Sequence, residues 1–239
     1  MGPAALLRIA TNLGVVRVSA RAEALAVIER DRALAELLER CRARLRDDPG
    51  HDVEHALRVA GWTLRLAPSL APRECVAAAL LHDLIDVPKN DPRRSQASLL
   101  SASEARLLLP ELGFDDETIE RIAEAIEDHS YSRGASPRSP LGDALQDADR
   151  LEALGALGLM RMISTGARMG ARYFHPTDPF ARERELEDTR FSIDHVFTKL
   201  LRLPESMRTA LGRAEAVRRA AHVRGFVEQL ADELGHRLP

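Results

Sequence analysis

The stretch Pro72-Arg73-Glu74-Cys75-Val76-Ala77-Ala78-Ala79-Leu80-Leu81-His82-Asp83-Leu84-Ile85 decides the fold. From Cys75 to Leu81 every residue is small or apolar, and a helix that is apolar on every side is a central, buried one. An Asp is almost never fully buried unless paired, because an unpaired buried carboxylate is very unfavourable or becomes protonated. His82-Asp83, embedded in such a helix, therefore needs a partner. The simplest partner is a bound cation; a buried His–Asp hydrogen bond that caps the helix is the other reading.

Around this hub the chain reads as helix throughout. Ala, Leu, Arg and Glu dominate, aromatics are only 4%, and alternating β-branched runs are nearly absent. The apolar period predicts helices near 21–46, 51–67, 72–86, 101–110, 116–130, 140–164, 180–203 and 205–235. Asp48-Pro49-Gly50, Pro68, Pro88 to Pro92, Pro110 to Gly113, Gly134 to Pro140 and Pro176 to Pro179 punctuate them. Long loops are expected near 86–98 and 165–179. The expected fold is an all-α, single globular domain over 21–239, preceded by a poorly ordered arm over 1–20. Val18-Ser19-Ala20 resembles a cleavage site, but Arg8, Asn12 and Arg17 interrupt the apolar region before it, which favours an arm over a signal peptide.

Composition narrows the function. With 45% hydrophobic and 30% charged residues the chain is not disordered, and a net charge of −3 supplies no basic excess for nucleic acid. No apolar run approaches the ~20 residues that cross a membrane, so no membrane partner is expected. Cys41 and Cys75 read as reduced thiols of a cytoplasmic protein.

The histidines and acids converge on a few helices. His51 and His55 are spaced i, i+4 and share one helical face, with Asp52 and Glu54 in the first turn where the helix dipole favours acids. A plain amphipathic helix with two surface histidines explains that pair equally well. His129 follows Ile119, Ile122 and Ile126 on one inward stripe, the position of a site histidine or of a satisfied core histidine. Asp149 shares a face with Leu145 and Ala153, again an acid on an apolar stripe, whereas Asp147 reads as a capping or solvated acid. Gly155 and Gly158 suggest close approach of a neighbouring helix. The stripe from Met207 through Leu211, Val217 and Val227 to Leu234 reads as core packing, with dimerisation the minor alternative.

His55 in His-x-x-Arg-Val, the His82-Asp83 pair, and Asp149 in Ala-Asp-Arg-Leu together resemble the HD superfamily of metal-dependent phosphohydrolases. The likeness extends to its bacterial nucleotide pyrophosphohydrolase-like subgroup. It runs through Leu81-His82-Asp83, His129-Ser130-x-Ser132-Arg133-Gly134, Gln146 to Gly155, Asp178-Pro179-Phe180-Ala181, and Asp194-His195 followed by Lys199. It covers roughly residues 25 to 235. Glu152 departs from it, since the shorter Asp is expected there, and the change falls beside the metal centre rather than in it.

This resemblance implies that His55, His82, Asp83 and Asp149 bind one divalent cation. Two imidazoles and two carboxylates suit Mn, the preferred guess, with Fe, Co, Ni, Zn or Mg as alternatives, and suit Ca less. The implied activity is hydrolysis of a nucleoside or deoxynucleoside triphosphate to the monophosphate and pyrophosphate through a metal-bound hydroxide. Lys89, Arg133 and Arg150 are the candidate phosphate contacts. Asp86 is a candidate to orient the water or accept its proton, and His51 and His129 are candidate donors to phosphate, or holders of a second metal. Arg168, Arg172 and Tyr173 lie in a loop that reaches either the base and ribose or only solvent. Another phosphomonoesterase or phosphodiesterase activity on a nucleotide, or a non-catalytic nucleotide or metal sensor, remains the alternative. The expected assembly is a monomer or homodimer.

Overall fold

The computed structural model describes residues 18–45, 52–85, 87, 91, 93–130 and 133–238. Helix α1 spans Ala20–Ile28, α2 Arg32–Arg44, α3 Val53–Leu66, α4 Pro72–Leu81 and α5 Ala97–Leu108. They are followed by α6 Asp116–Asp128, α7 Pro140–Glu152, α8 Gly155–Arg168, the short α9 Asp194–Thr198 and α10 Ala210–Leu234. Among the described residues there is no β-strand, only an isolated bridge between Arg172 and Phe191. The all-α expectation is met.

Helix α4 is the hub. Cys75 through Leu81 are all buried, and α3, α6 and α7 pack around it. α1 lies along α3, and Gly61 lets them meet: a Cβ there would sit 1.8 Å from the Ala20 carbonyl oxygen. Polar starts fix the helix entries. Ser19, Asp31, Asp52, Asp115, Ser139 and Thr209 each accept a backbone N–H of the first turn. No helix among the described residues is long and apolar enough to cross a membrane.

Three expected helices are cut differently. Residues 21–46 break at Asp31, whose carboxylate caps α2 by accepting from the Ala33 and Leu34 amides. Residues 140–164 divide at Gly155, which takes φ +73°, a left-handed conformation open to glycine. The close approach at Gly158 is to its own chain, where an added Cβ would lie 2.1 Å from the Ala153 carbonyl, and not to a neighbouring helix.

The helix expected over 180–203 is replaced by irregular chain that ends in α9. Asp178 accepts the Arg182 and Glu183 amides, and fully buried Asp194 takes the Arg184 guanidinium and the Glu187 amide. These side-chain acceptors divert backbone donors that a helix would need.

Asp147 closes the lower end of the fold. It is fully buried and accepts the Arg208 and Thr209 amides and the Thr209 hydroxyl, pinning the start of α10 to α7.

Candidate metal centre

α3, α4, α6 and α7 each bring one part of a cluster. His55 lies in the first turn of α3, His82 caps the C-terminus of α4 with Asp83 next to it, and His129 caps the C-terminus of α6. Asp149 and Glu152, three residues apart, face the cluster from α7. The buried helix stops at Leu81, so His82-Asp83 marks its end instead of being embedded in it.

That ending shapes the imidazoles. The last carbonyls of a helix lack intrahelical partners. The His82 Nδ1 lies 2.7 Å from the Ala79 carbonyl, and the His129 Nδ1 lies 2.7 Å from the Ile126 carbonyl, each three residues back. A carbonyl only accepts, so each Nδ1 carries the hydrogen, and the neutral ring presents its Nε2 lone pair inward. The same local rule, applied at two helix ends, aims two histidines at one point.

The distances define that point. His82 Nε2 is 3.5 Å from Asp83 Oδ2 and 3.9 Å from Asp149 Oδ1, while His55 Nε2 is 3.4 Å from the same Asp149 oxygen. His129 Nε2 is 3.6 Å from Asp83 Oδ1. The rings form a row, with centroids 5.3 Å apart from His55 to His82 and 5.1 Å from His82 to His129. Asp52 and Leu45 line the same hollow. Two ligand groups result, His55–His82–Asp149 and His82–Asp83–His129, sharing His82.

This donor set fits a divalent cation. The His82 Nε2 atom is buried and has no hydrogen-bond partner, yet it looks onto two carboxylate oxygens that cannot donate to it. An orphaned buried acceptor facing further acceptors is unfavourable until a cation enters among them. The C-termini of α4 and α6 add partial negative charge at the same place.

Protonation follows the same geometry. Burial pushes the His82 pKa down to about 4 against the pull of Asp83, so the ring is neutral near pH 7. Burial opposes ionisation of Asp149, but the hydrogen bond and charge of His55 outweigh it and hold the carboxyl well below its usual range. Burial lowers His129 and His55 as well; Asp83 outweighs it at His129, and Asp149 with Glu152 outweighs it at His55, where Arg161 also opposes, so both end raised.

Residues 52–154 match the family model of the HD domain. The curated Bacillus subtilis (strain 168) protein YpgQ, itself described as uncharacterized, is 34% identical over 199 residues, covering 79% of this chain and 86% of YpgQ. The chain belongs to the HD domain family. Among solved structures, that of B. subtilis YpgQ in complex with ADP superposes with a TM-score of 0.63 at 28% identity, over 82% of this chain and 97% of that one. An HD-superfamily hydrolase from Bacillus thuringiensis gives 0.62 at 27% identity, over 85% and 97%.

The HD domain match contains every cluster residue named above. Of the residues singled out from sequence, His55, His82, Asp83, Asp149 and His129 come together. His51, Asp86 and Lys89 lie outside the described residues. Arg150 donates to the Ser206 carbonyl at 2.6 Å, and Arg133 to the Glu127 carbonyl at 2.8 Å. His195 bonds Asp188 at 2.9 Å, and that carboxylate also accepts from Thr198.

Two residues beside the cluster were not among the candidate site residues read from the sequence. Glu152, noted only as a departure from the expected Asp, is 1% exposed; it accepts from Arg58 at 2.6 Å and lies 3.8 Å from His55 Nδ1. Arg161 on α8 reaches the same nitrogen, with Nη1 3.2 Å from His55 Nδ1. The reading merged α7 and α8 into one helix, and a continuous helix does not turn Arg161 back toward His55.

Proposed function

We propose that the protein is a divalent-metal-dependent phosphohydrolase acting on nucleotides, cleaving nucleoside or deoxynucleoside triphosphates to the monophosphate and pyrophosphate. The observation that carries this reading is the orphaned His82 Nε2 among the Asp83 and Asp149 carboxylates. His55, His82, Asp83 and Asp149 would hold the cation, with Mn proposed and Fe, Co, Ni, Zn or Mg compatible with the same mixed nitrogen and oxygen set. When bound, the cation supplies charge to a phosphoryl oxygen and lowers the pKa of a coordinated water.

The chain's own residues prepare for that. Neutral His82 is a ready ligand at pH 7, and Asp149 stays ionised, so neither must lose a proton to bind. Glu152 stands where it can accept the His55 Nδ1 hydrogen, and Arg58 fixes that carboxylate. Hydrolysis adds water across the α–β anhydride: the water oxygen joins the α-phosphorus, the P–O bond to pyrophosphate breaks, and a proton passes to solvent.

The ADP complex of YpgQ supports nucleotide recognition in a relative of the same fold. The likeness to the pyrophosphohydrolase-like subgroup supports the triphosphate assignment. The test is to load purified protein with Mn, offer each NTP and dNTP, and separate the products. The expected products are monophosphate and pyrophosphate in equal amounts. Release of neither phosphate nor pyrophosphate at several metals and pH values refutes the proposal, and release of orthophosphate with the nucleoside diphosphate redirects it to cleavage of the terminal anhydride.

A further inference from the structure

The arginines near the centre are committed to different partners. Arg58 is neutralised by Glu152 at 2.6 Å, and Arg219 by Glu215 at 2.8 Å with Glu152 at 3.9 Å. Arg150 and Arg133 donate to backbone carbonyls of Ser206 and Glu127. Arg161 differs. Among the described residues its one polar partner is the ring of His55, and no carboxylate pairs with it. Its side chain is half-buried, and it lies beyond residues 52–154 that match the HD domain.

The contact Arg161 makes is conditional. Its Nη1 lies 3.2 Å from His55 Nδ1, and Glu152 Oε2 lies 3.8 Å from the same nitrogen. A ring that ligates a cation through Nε2 carries its hydrogen on Nδ1, which a carboxylate can accept and a guanidinium cannot. With His55 serving as a ligand, Arg161 has no acceptor at that ring.

We propose that Arg161 binds the phosphoryl oxygens of the substrate when the cation is in place. A guanidinium matches two phosphoryl oxygens at once through its planar fork, and unlike Arg58 and Arg219 it carries no carboxylate to displace. This inference rests on the phosphohydrolase reading, and it names the group that recognises the substrate at that site.

Calorimetry with Mn alone, then with inorganic pyrophosphate added to the Mn-loaded protein, tests it in wild type, Arg161→Lys and Arg161→Ala. The expected result is that Arg161→Ala binds Mn as tightly as wild type, because a guanidinium is not a cation ligand. Pyrophosphate affinity should drop by about ten- to a hundred-fold, as for loss of a charged hydrogen bond. Arg161→Lys should recover part of that loss. If the alanine variant fails to fold, Arg161→Gln removes the charge at nearly constant length and is read the same way. Weaker Mn binding with unchanged pyrophosphate affinity overturns the proposal, because Arg161 would then only support His55. Pyrophosphate affinity within two-fold of wild type in every variant also overturns it. Wild-type Mn-loaded protein that binds no pyrophosphate and hydrolyses no nucleotide overturns the phosphohydrolase reading first, and Arg161 with it.

Discussion

Lowering the pH of the metal-free protein isolates one group, His82. Burial moves its pKa from the ordinary 6.5 to about 4, with the Asp83 carboxylate opposing. Between those values the unfolded chain binds a proton at this position that the folded chain refuses. Stability therefore falls as the pH falls through the window, at about 1.4 kcal/mol per pH unit for one proton. The full window is worth on the order of 3 kcal/mol, and a step from pH 6.5 to 5 about 2 kcal/mol.

The neighbouring groups act elsewhere on the scale. His55 and His129 are raised, so their contributions are complete below pH 6.5 and are lost only as the pH climbs past it. Asp149 and Glu152 are lowered from 3.8 and 4.5, so theirs are lost only below those values. The interval from about pH 5 to 6.5 thus belongs to His82.

Urea unfolding in EDTA at half-unit steps across that interval measures the slope. With a typical m-value of 1–3 kcal/mol per molar, a loss of about 2 kcal/mol moves the midpoint by roughly 1 M. His82→Asn, which keeps polarity and cannot titrate, should flatten the curve. A wild-type midpoint that does not move, or a slope that persists unchanged in His82→Asn, refutes the reasoning.

Asp83→Ala, His82→Ala and Asp149→Ala should each strip the cation, which elemental analysis after Mn loading and desalting reads directly. Glu152→Gln should lower Mn affinity about 10- to 100-fold without unfolding the protein, since it replaces a charged acceptor beside His55 Nδ1 with a neutral one and breaks the ion pair with Arg58; calorimetry decides. Asp147→Ala should destabilise by about 2–4 kcal/mol while Mn affinity stays unchanged, because it orphans the Arg208 and Thr209 amides on the far side of α7 from the cluster. Denaturation and metal titration of that one variant separate the two acids of α7.

Much of the fold was legible because helical period and punctuation are local. The seven buried residues from Cys75 to Leu81 are contiguous in the chain, so their run named the hub directly. The breaks at Asp31 and Gly155 were harder to read. An Asp or a Gly inside a periodic stretch is compatible with a continuing helix, and only the surrounding contacts decide whether the chain turns. The irregular segment before α9 was hidden for a related reason. Asp178 and Asp194 look like surface acids in the sequence, and their commitment to backbone amides and to Arg184 exists only in three dimensions.

The ligand cluster shows where such reading stops. An acid or histidine in apolar surroundings is an anomaly that a sequence displays, which is how His82, Asp83, His129 and Asp149 stood out, whereas His55 was singled out by the family resemblance. What the anomaly cannot display is which nitrogen of a ring faces inward. That depends on the other nitrogen's partner: a helix carbonyl for His82 and His129, but an arginine and a glutamate competing for His55. Helix termini turn the first two rings so that Nε2 faces the cluster. At the third, Arg161 and Glu152 both approach Nδ1, at 3.2 and 3.8 Å. In the proposed centre His82 is therefore the histidine whose orientation a helix end already sets, and His55 the one whose orientation depends on its neighbours. Glu152, where the sequence reading expected a shorter Asp, is the carboxylate placed to orient it.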